Sequence, residues 1–360
     1  MKKATRNILI ISACCMGAGV LAAATGLAAG GWFGIQITRD GIRSASSDNE
    51  PYILKKTKLD NFSEIKIDIG SEADIELLPS DDNSCRLEYS LDGNGAEPVW
   101  DVSDDTLTVS QKGVISGGIF LDMGFQSRLS DPVIRLYLPE GASYSDVDIS
   151  SDFGNMDISG FSADTLTLNL EYGDLDMKDI SAGTADIYLD FGNLDMENIT
   201  ADTSEIYLDY GDLGIKGCSF TDAEITAASG NIETQDTSID TLVLTDNYGD
   251  ASLQGMTVRS ADLTIESGSL YFAASGLETL TGVNEFGDTV FVLSDAEDYA
   301  FDLVTEFGEI TLSDDIPGRL SLPNTGEMSF TSESSGDKKI EFTAESGDIQ
   351  IHEKQNWICV

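Results

Sequence analysis

The segment Leu166–Lys178, LTLNLEYGDLDMK, contains the pattern that decides the fold of this chain. Apolar residues alternate with polar ones up to Gly173, and Leu175 and Met177 alternate with aspartates after it. Alternation with a period of two predicts β-strands with one buried face. The apolar positions change parity at Gly173, which predicts a corner there, because glycine tolerates the backbone angles of a corner or bulge.

The same pattern returns every 19 residues across Val147–Leu293. The glycines of this series are Gly154, Gly173, Gly192, Gly211, Gly230, Gly249, Gly268 and Gly287. A constant period is typical of repeat architectures, in which each unit is stable only when it is stacked on its neighbours. Nineteen residues hold about two strands and two bends, too few for a β–α repeat. The sequence therefore predicts an all-β protein, a parallel β-solenoid whose equivalent strands stack in register about 4.8 Å apart.

An aromatic residue precedes most of these glycines. The members are Phe153, Tyr172, Phe191, Tyr210, Tyr248 and Phe286. In a parallel stack they form a column, for which two interpretations compete. The favoured one is a stacked aromatic ladder that packs the corner, and the other is a platform on which carbohydrate stacks.

The N-terminal segment has the properties of a membrane anchor. Residues 7–38 contain no charged side chain, and about 20 apolar residues suffice to cross a bilayer. We predict a transmembrane helix over residues 7–38, with the basic residues 1–6 in the cytoplasm. A cleaved signal peptide and a lipoprotein signal ending at Cys14 are the alternatives. The spacing of Gly26, Gly30 and Gly34 raises the further option of a helix-mediated dimer.

The remaining residues divide into less regular parts. Residues 39–58 are polar and predict a linker, and residues 59–140 predict irregular N-terminal coils or a cap before the regular repeats of 141–294. After Gly287 the glycine spacing loosens through Gly308, Gly326 and Gly347, which predicts irregular C-terminal coils over 295–360, closed by residues 357–360. Residues 113–131 are apolar and glycine-rich, indicating either a hairpin that closes one end or a loop that meets a membrane or partner.

Carboxylates are the one chemical group in excess. The formal net charge of −44 makes nucleic acid a very poor partner. Acids recur at two positions of the repeat, two residues before the glycine and three after it. These are Asp152, Glu171, Asp190 and Asp209, and Asp157, Asp176 and Asp195. A solvated face is the favoured interpretation, a divalent-cation ladder for Ca²⁺ is the alternative, and glycosidase carboxylates are a third option.

Catalytic signatures are weak. The five cysteines have neither disulfide-framework nor zinc spacing, and no nucleophile–base set surrounds the single histidine, His352. Coils of constant length leave no room for the walls of a substrate cleft. We therefore expect a non-catalytic protein without a cofactor, apart from the calcium option.

Several segments together match a known family. They are the N-terminal apolar segment, IKIDIG at Ile65–Gly70, VIRLYLP at Val133–Pro139, and the repeated aromatic-Gly-Asp corners. Over residues 60–352 the chain resembles the bacterial "putative adhesin" domain, a toast-rack β-solenoid family of unknown function. The resemblance implies a cell-envelope protein, often encoded near envelope-stress regulators in Gram-positive bacteria.

These observations together favour one location and function. We expect a single-pass plasma-membrane protein with a cytoplasmic N-terminus and an extracytoplasmic solenoid. The solenoid would act as an adhesin-like interaction or envelope-sensing module with an envelope protein or a glycan as partner. A polysaccharide-active β-helical enzyme and a structural spacer are the competing functions.

Overall fold

The computed structural model describes residues 35–38, 41–44, 50–93, 95–112, 132–313, 316–322, 327–332 and 337–353. Apart from one short 3₁₀ turn at Ala296–Asp298, its regular structure is β-strand. Twenty-eight of the described strands join one sheet in which parallel pairs dominate. The prediction of an all-β parallel solenoid is confirmed.

The strands before the regular coils are shorter and more varied. They are β1 (Ile35–Thr38), β2 (Gly41–Ser44), β3 (Tyr52–Lys58), β4 (Glu64–Glu72), β5 (Asp74–Pro79), β6 (Arg86–Leu91), β7 (Val99–Ser103), β8 (Thr106–Gln111) and β9 (Val133–Leu138).

Each central coil consists of a long strand followed by a short one. They are β10 (Ser143–Phe153), β11 (Met156–Ser159), β12 (Ser162–Tyr172), β13 (Leu175–Lys178), β14 (Ser181–Phe191), β15 (Leu194–Glu197), β16 (Thr200–Tyr210), β17 (Leu213–Lys216), β18 (Ser219–Ala227), β19 (Ile232–Gln235), β20 (Ser238–Tyr248), β21 (Ala251–Ser267), β22 (Leu270–Ser275), β23 (Thr279–Phe286) and β24 (Thr289–Leu293). Strand β21 runs on from a short-strand position into the long strand of the next coil.

The C-terminal strands complete the sheet. They are β25 (Tyr299–Thr305), β26 (Ile310–Leu312), β27 (Gly318–Ser321), β28 (Met328–Ser332), β29 (Lys338–Ser346) and β30 (Ile349–Glu353).

The coils stack in parallel with a register of 19 residues. Leu168 pairs with Ile187, which pairs with Ile206, and the short strands continue the same register. Both apolar columns predicted on either side of the glycine are buried throughout the regular coils. The core therefore consists of columns of equivalent apolar residues, one from each coil, as the alternation of apolar and polar residues predicts.

The corner glycines are required by close backbone contact. Gly192 has φ 149°, and a Cβ atom built on it would overlap the carbonyl oxygen of Gly173 in the preceding coil. Gly211 is in the same position relative to Gly192. Any side chain at these sites would force the coils apart, so the glycine column sets the tight stacking.

A second corner, six residues after the glycine, uses left-handed backbone. Its members are Gly160, Asp179, Asn198, Gly217, Asp236 and Gly255, with φ between 52° and 78°. Glycine, asparagine and aspartate are the residues that adopt this conformation at the lowest cost. This column explains why the turn after each short strand keeps the same shape.

A polar spine follows the glycine corner. The backbone N–H of the residue after each glycine donates a hydrogen bond to the side-chain oxygen of its equivalent one coil earlier. These contacts measure 2.8–3.1 Å and link Asp74, Asn155, Asp174, Asn193, Asp212, Asn231, Asp250 and Ser269. Aspartate and asparagine alternate along most of this spine. Neighbouring carboxylates are thereby held about two strand spacings, ~9.6 Å, apart, further than the ~8 Å Debye length at physiological salt.

The C-terminal coils do not stack in sequence order. Strands β29 and β30 lie between β23–β24 and β25–β26, so Gly347 stacks on Gly287 and Gly308 stacks on Gly347. The stacking order of these glycines is therefore Gly287, Gly347, Gly308 and differs from chain order. Strands β25 and β26 form the outermost coil.

Antiparallel strands cover both ends of the stack. At the N-terminal end β7 pairs with β8, β6 pairs with β9, and β3 pairs with β6, while β28 and β27 cover β25. Such pairing blocks the exposed strand edges that would otherwise recruit another chain.

Strand β3 also corrects the predicted linker. Tyr52–Lys58 belongs to the sheet, so a linker reaching residue 58 is wrong. The polar alternation of this strand resembles a linker in composition because only one of its faces meets the core.

The predicted transmembrane helix falls mainly outside the described residues. Its last four positions, Ile35–Thr38, form a strand paired with Gly41–Ser44, so a helix extending to residue 38 is wrong. Residues 7–34, including Gly26, Gly30 and Gly34, lie outside the described part, as do residues 113–131, Gly326 and residues 357–360. Among the described residues, no helix has the length and hydropathy needed to cross a bilayer.

One core column contains a natural carboxylate. Leu189 and Asp246 occupy equivalent positions, and Asp246 is fully buried between Ala227 and Ile265. Neither of its oxygens has a hydrogen-bond partner among the described residues. Desolvation, and secondarily the charge of Asp250, raises the pKa of Asp246 to about 7.

We expect Leu189→Asp to destabilise the fold strongly, by about 4 kcal/mol or more at pH 8, because it buries a second unpartnered charge in this column. Chemical unfolding of the purified protein measures the effect. Thr203→Asp is the matched control, because Thr203 is exposed and the next coil has Asp222 in the same column. Equal stability of both variants would place Leu189 outside the core.

Asp246 predicts a pH dependence of stability with a defined sign. Its pKa rises from 3.8 to about 7 on folding, so the folded state retains a proton that the unfolded chain has lost. Unfolding free energy should therefore fall as pH rises from about 4 to 7, by an amount on the order of 4 kcal/mol, and then level off. Asp246→Asn should lose this component. Parallel pH profiles for wild type and variant would contradict the assignment.

Candidate functional surface

The aromatic column forms an exposed ladder on the outside of the glycine corner. The rings of Phe153, Tyr172, Phe191 and Tyr210 stack at centroid distances of 5.3, 4.9 and 4.9 Å, with interplanar angles of 6° or less. The predicted stacking is confirmed. The rings are exposed rather than packed into the core, because the corner turns their side chains away from it.

The two acidic series occupy separate columns. Asp157, Asp176 and Asp195 pair directly along the short strands. Asp152, Glu171, Asp190 and Asp209 lie on the long strands, on the other side of the glycine corner. The structure therefore aligns each series as predicted and keeps the two on different strands.

Mutual repulsion is visible in the short-strand column. Partial desolvation, followed by the charges of Asp195, Asp157 and Asp174, raises the pKa of Asp176. Partial desolvation and the charge of Asp68 likewise raise the pKa of Asp152. The surroundings of Asp152 and Asp176 thus disfavour the ionised form of each carboxyl group.

The short strands also form the floor of a groove of about 670 Å³. One side of the groove is lined by acids, namely Asp157, Asp176, Asp195 and Glu233. The other side is lined by a row in which positive and negative side chains alternate. In that row the Lys178 Nζ lies 2.7 Å from a Glu197 carboxylate oxygen, and the Lys216 Nζ lies 4.0 Å from the other oxygen. Sequence analysis missed this row, although the 19-residue spacing of Lys178, Glu197 and Lys216 contains the signal.

The described residues contain no group of three or more acidic, histidine or cysteine side chains that converge on a point able to hold a metal ion. The carboxylates lie side by side along the stack, because a flat parallel ladder spaces them evenly. Calcium binding to the acidic columns therefore stays a prediction.

The remaining reactive groups have structural surroundings. Cys218 is buried in the core, and its Sγ lies 3.4 Å from the backbone N of Ile199. The Nε2 of His352 lies 3.3 Å from the side-chain oxygen of Gln350, and desolvation lowers its pKa.

A protein-family model matches nearly the whole solenoid. The model, Toastrack DUF4097, aligns twice, with residues 62–240 and with residues 186–352. This chain belongs to the Toastrack DUF4097 family. The resemblance inferred from the corners and from the two strand segments is thereby confirmed.

Solved structures resemble the chain at low sequence identity. One from Parabacteroides distasonis, titled a "putative lipid binding protein", is 16% identical with a TM-score of 0.41, covering 84% of this chain and 97% of that one. A "putative adhesin" from the same species is 14% identical with a TM-score of 0.39, covering 84% and 98%. A "putative adhesin" from Bacteroides fragilis is 13% identical with a TM-score of 0.32, covering 84% and 97%. No curated protein gave a significant match.

The acidic columns generate a prediction about calcium. Two carboxylates one coil apart, as at Asp157 and Asp176, repel by about 0.9 kcal/mol in water, and a hard divalent cation offsets this cost. We expect millimolar Ca²⁺ to raise the melting temperature of the Toastrack protein more than NaCl of equal ionic strength does.

Neutral substitutions test the same repulsion directly. Asp190→Asn with Asp209→Asn should raise the melting temperature in chelator and should lose most of the calcium response. Asp176→Asn should be stabilising at pH 7 and neutral near pH 3, because the raised pKa of Asp176 lowers the unfolding free energy of the wild type as pH rises from the ordinary carboxyl pKa of 3.8 to the raised one. A calcium titration that superimposes on the NaCl control would leave the columns as a solvated face.

Proposed function

We propose that this Toastrack protein is a non-catalytic interaction module of the cell envelope. In this proposal an apolar anchor within residues 7–34 holds it in the plasma membrane, and the solenoid lies on the extracytoplasmic side. The anchor is long enough to span a bilayer, and the basic residues Lys2, Lys3 and Arg6 favour a cytoplasmic N-terminus.

The observation that supports a binding role is the constant length of the coils. From β10 to β24 nearly every coil adds 19 residues, and the described turns between them are short. A polysaccharide-cutting β-helical enzyme needs long loops that build walls around the scissile bond. The regular coils instead display long rows of like side chains, which suit a repetitive partner.

The exposed side chains of these rows favour a role in recognition over a role as a structural spacer. A spacer needs only a solvated surface, for which scattered charged side chains suffice. The ladder from Phe153 to Tyr210 exposes four aromatic rings in one line. Exposed aromatic residues cost solubility, and they are enriched at sites of molecular recognition.

Topology is tested by treating intact cells with an external protease. We expect cleavage between the anchor and Tyr52 to release the solenoid into the medium, leaving an N-terminal fragment in the membrane. A cytoplasmic protein is the control for cell integrity. Survival of the solenoid in intact cells, together with its loss in permeabilised cells, would place it in the cytoplasm.

The enzyme alternative is tested on the same purified protein. Incubation with envelope polysaccharides should release no reducing ends above a heat-denatured control. Turnover that depends on the folded protein would contradict the non-catalytic assignment.

A further inference from the structure

The stacking order of the coils extends a pattern in the aromatic column that chain order shows only as far as Phe286. From one end of the regular stack to the other, the residue before the corner is Phe153, Tyr172, Phe191, Tyr210, Ser229, Tyr248, Ser267, Phe286, Ser346 and Phe307. The first four positions are all aromatic. From Tyr210 onward, aromatic residues and serines alternate strictly.

The faces of the rings are covered in the continuous half of the column. Tyr172 and Phe191 each have a neighbouring ring within 5.3 Å on both sides, nearly parallel to their own. A ligand can reach the edges of these rings but cannot lie against their faces.

In the alternating half, each serine leaves a gap one ring thick. Successive rings there are two coils apart, about 9.6 Å, so a group at the centre of a gap lies about 4.8 Å from each ring. Tyr210, Tyr248 and Phe286 are 51%, 63% and 58% exposed, against 41% for Phe191 in the continuous ladder. None of the three serine hydroxyls hydrogen-bonds another described residue.

The surroundings of the gaps are acidic. Around the gaps at Ser267 and Ser346, the position before the aromatic column holds only glutamates after Asn247, namely Glu266, Glu285, Glu345 and Glu306 in stacking order. The gap at Ser229 has Asp209, Ala228 and Asn247 at that position, and Asp212, Asn231 and Asp250 at the position after the glycine. A cation within about 6 Å of an aromatic face is attracted to it, and carboxylates add to that attraction. The gaps therefore suit an organic cation and disfavour an anion.

We propose that the gaps at Ser229, Ser267 and Ser346 bind the ammonium groups of a polysaccharide built from hexosamines with free amines. Each ammonium lies between two rings, such as Tyr210 and Tyr248, and is neutralised by the flanking carboxylates. The two-coil spacing of the gaps is close to the length of a disaccharide unit in an extended chain, in which alternate amines point the same way. This inference rests on the proposed function and names the chemistry of its partner.

Titration calorimetry of the full-length protein with a glucosamine hexamer tests the proposal. We expect the hexamer to bind, and Tyr248→Ala, which removes one wall from each of two gaps, to weaken binding about tenfold. A variant in which Ser229, Ser267 and Ser346 are all replaced by Tyr should weaken it at least as much, because added rings fill the gaps. The N-acetylglucosamine hexamer should bind far more weakly than the free amine.

Tyr172→Ala is the matched control, because it removes a ring of the continuous ladder and leaves every gap intact. All these variants keep the net charge of the wild type, so general attraction between a polyanion and a polycation is constant across the series. Equal affinity of all variants would show binding by charge alone and overturn the proposal. Absence of binding by wild type would overturn it as well, while release of the solenoid from protease-treated cells would still support the envelope location.

Discussion

Backbone contact at the glycine corner is the constraint on which the rest of the structure depends. A side chain at Gly192 would occupy the space of the Gly173 carbonyl oxygen, and the same holds along the column. Because the coils must meet this closely at one corner, they must also share one path, one length and one register elsewhere. The apolar columns, the left-handed second corner and the polar spine all follow from that shared path.

Stacking equivalent residues of neighbouring coils places like charges side by side, and in so acidic a chain these charges repel one another. The repulsion is reduced in different ways at different positions. In the polar spine asparagine alternates with aspartate, so hydrogen bonding continues while charge is diluted. In the row of Lys178, Glu197 and Lys216 the charges alternate in sign. In the column of Asp157, Asp176 and Asp195 the charges have the same sign, and partial desolvation together with the charges of its neighbours raises the pKa of Asp176.

Much of this architecture was predictable because the geometry of a repeat is reflected in the period of its sequence pattern. The 19-residue period gave the register, and the parity change at Gly173 gave the corner. The same period aligned both acidic series correctly. Stacking of the rings also followed, whereas their exposure did not, because the direction in which a corner turns a side chain is a three-dimensional property.

The ends of the solenoid were less predictable for a different reason. Strand β3 looks like a linker in composition, and only its pairing with β6 shows that it belongs to the sheet. The exchange of coil order near the C-terminus has no local signal, because Gly308 and Gly347 carry similar corners. The alternation of rings and serines is present in chain order from Tyr210 to Phe286, and its continuation through Ser346 and Phe307 could be seen only after that exchange was known.

The inserted position of β29 and β30 has a consequence for how the protein is made. The outermost coil, β25–β26, is synthesised before the coil that lies beneath it. A growing chain can stack one coil on the last as far as β24, but the C-terminal end has to stay open until the final strands are available. A chain that stops early thus keeps the bare edge of β23 and β24, which invites association with other chains. Strands β29 and β30 cover this edge when they pair with β23 and β24, so a chain truncated before them leaves the edge exposed.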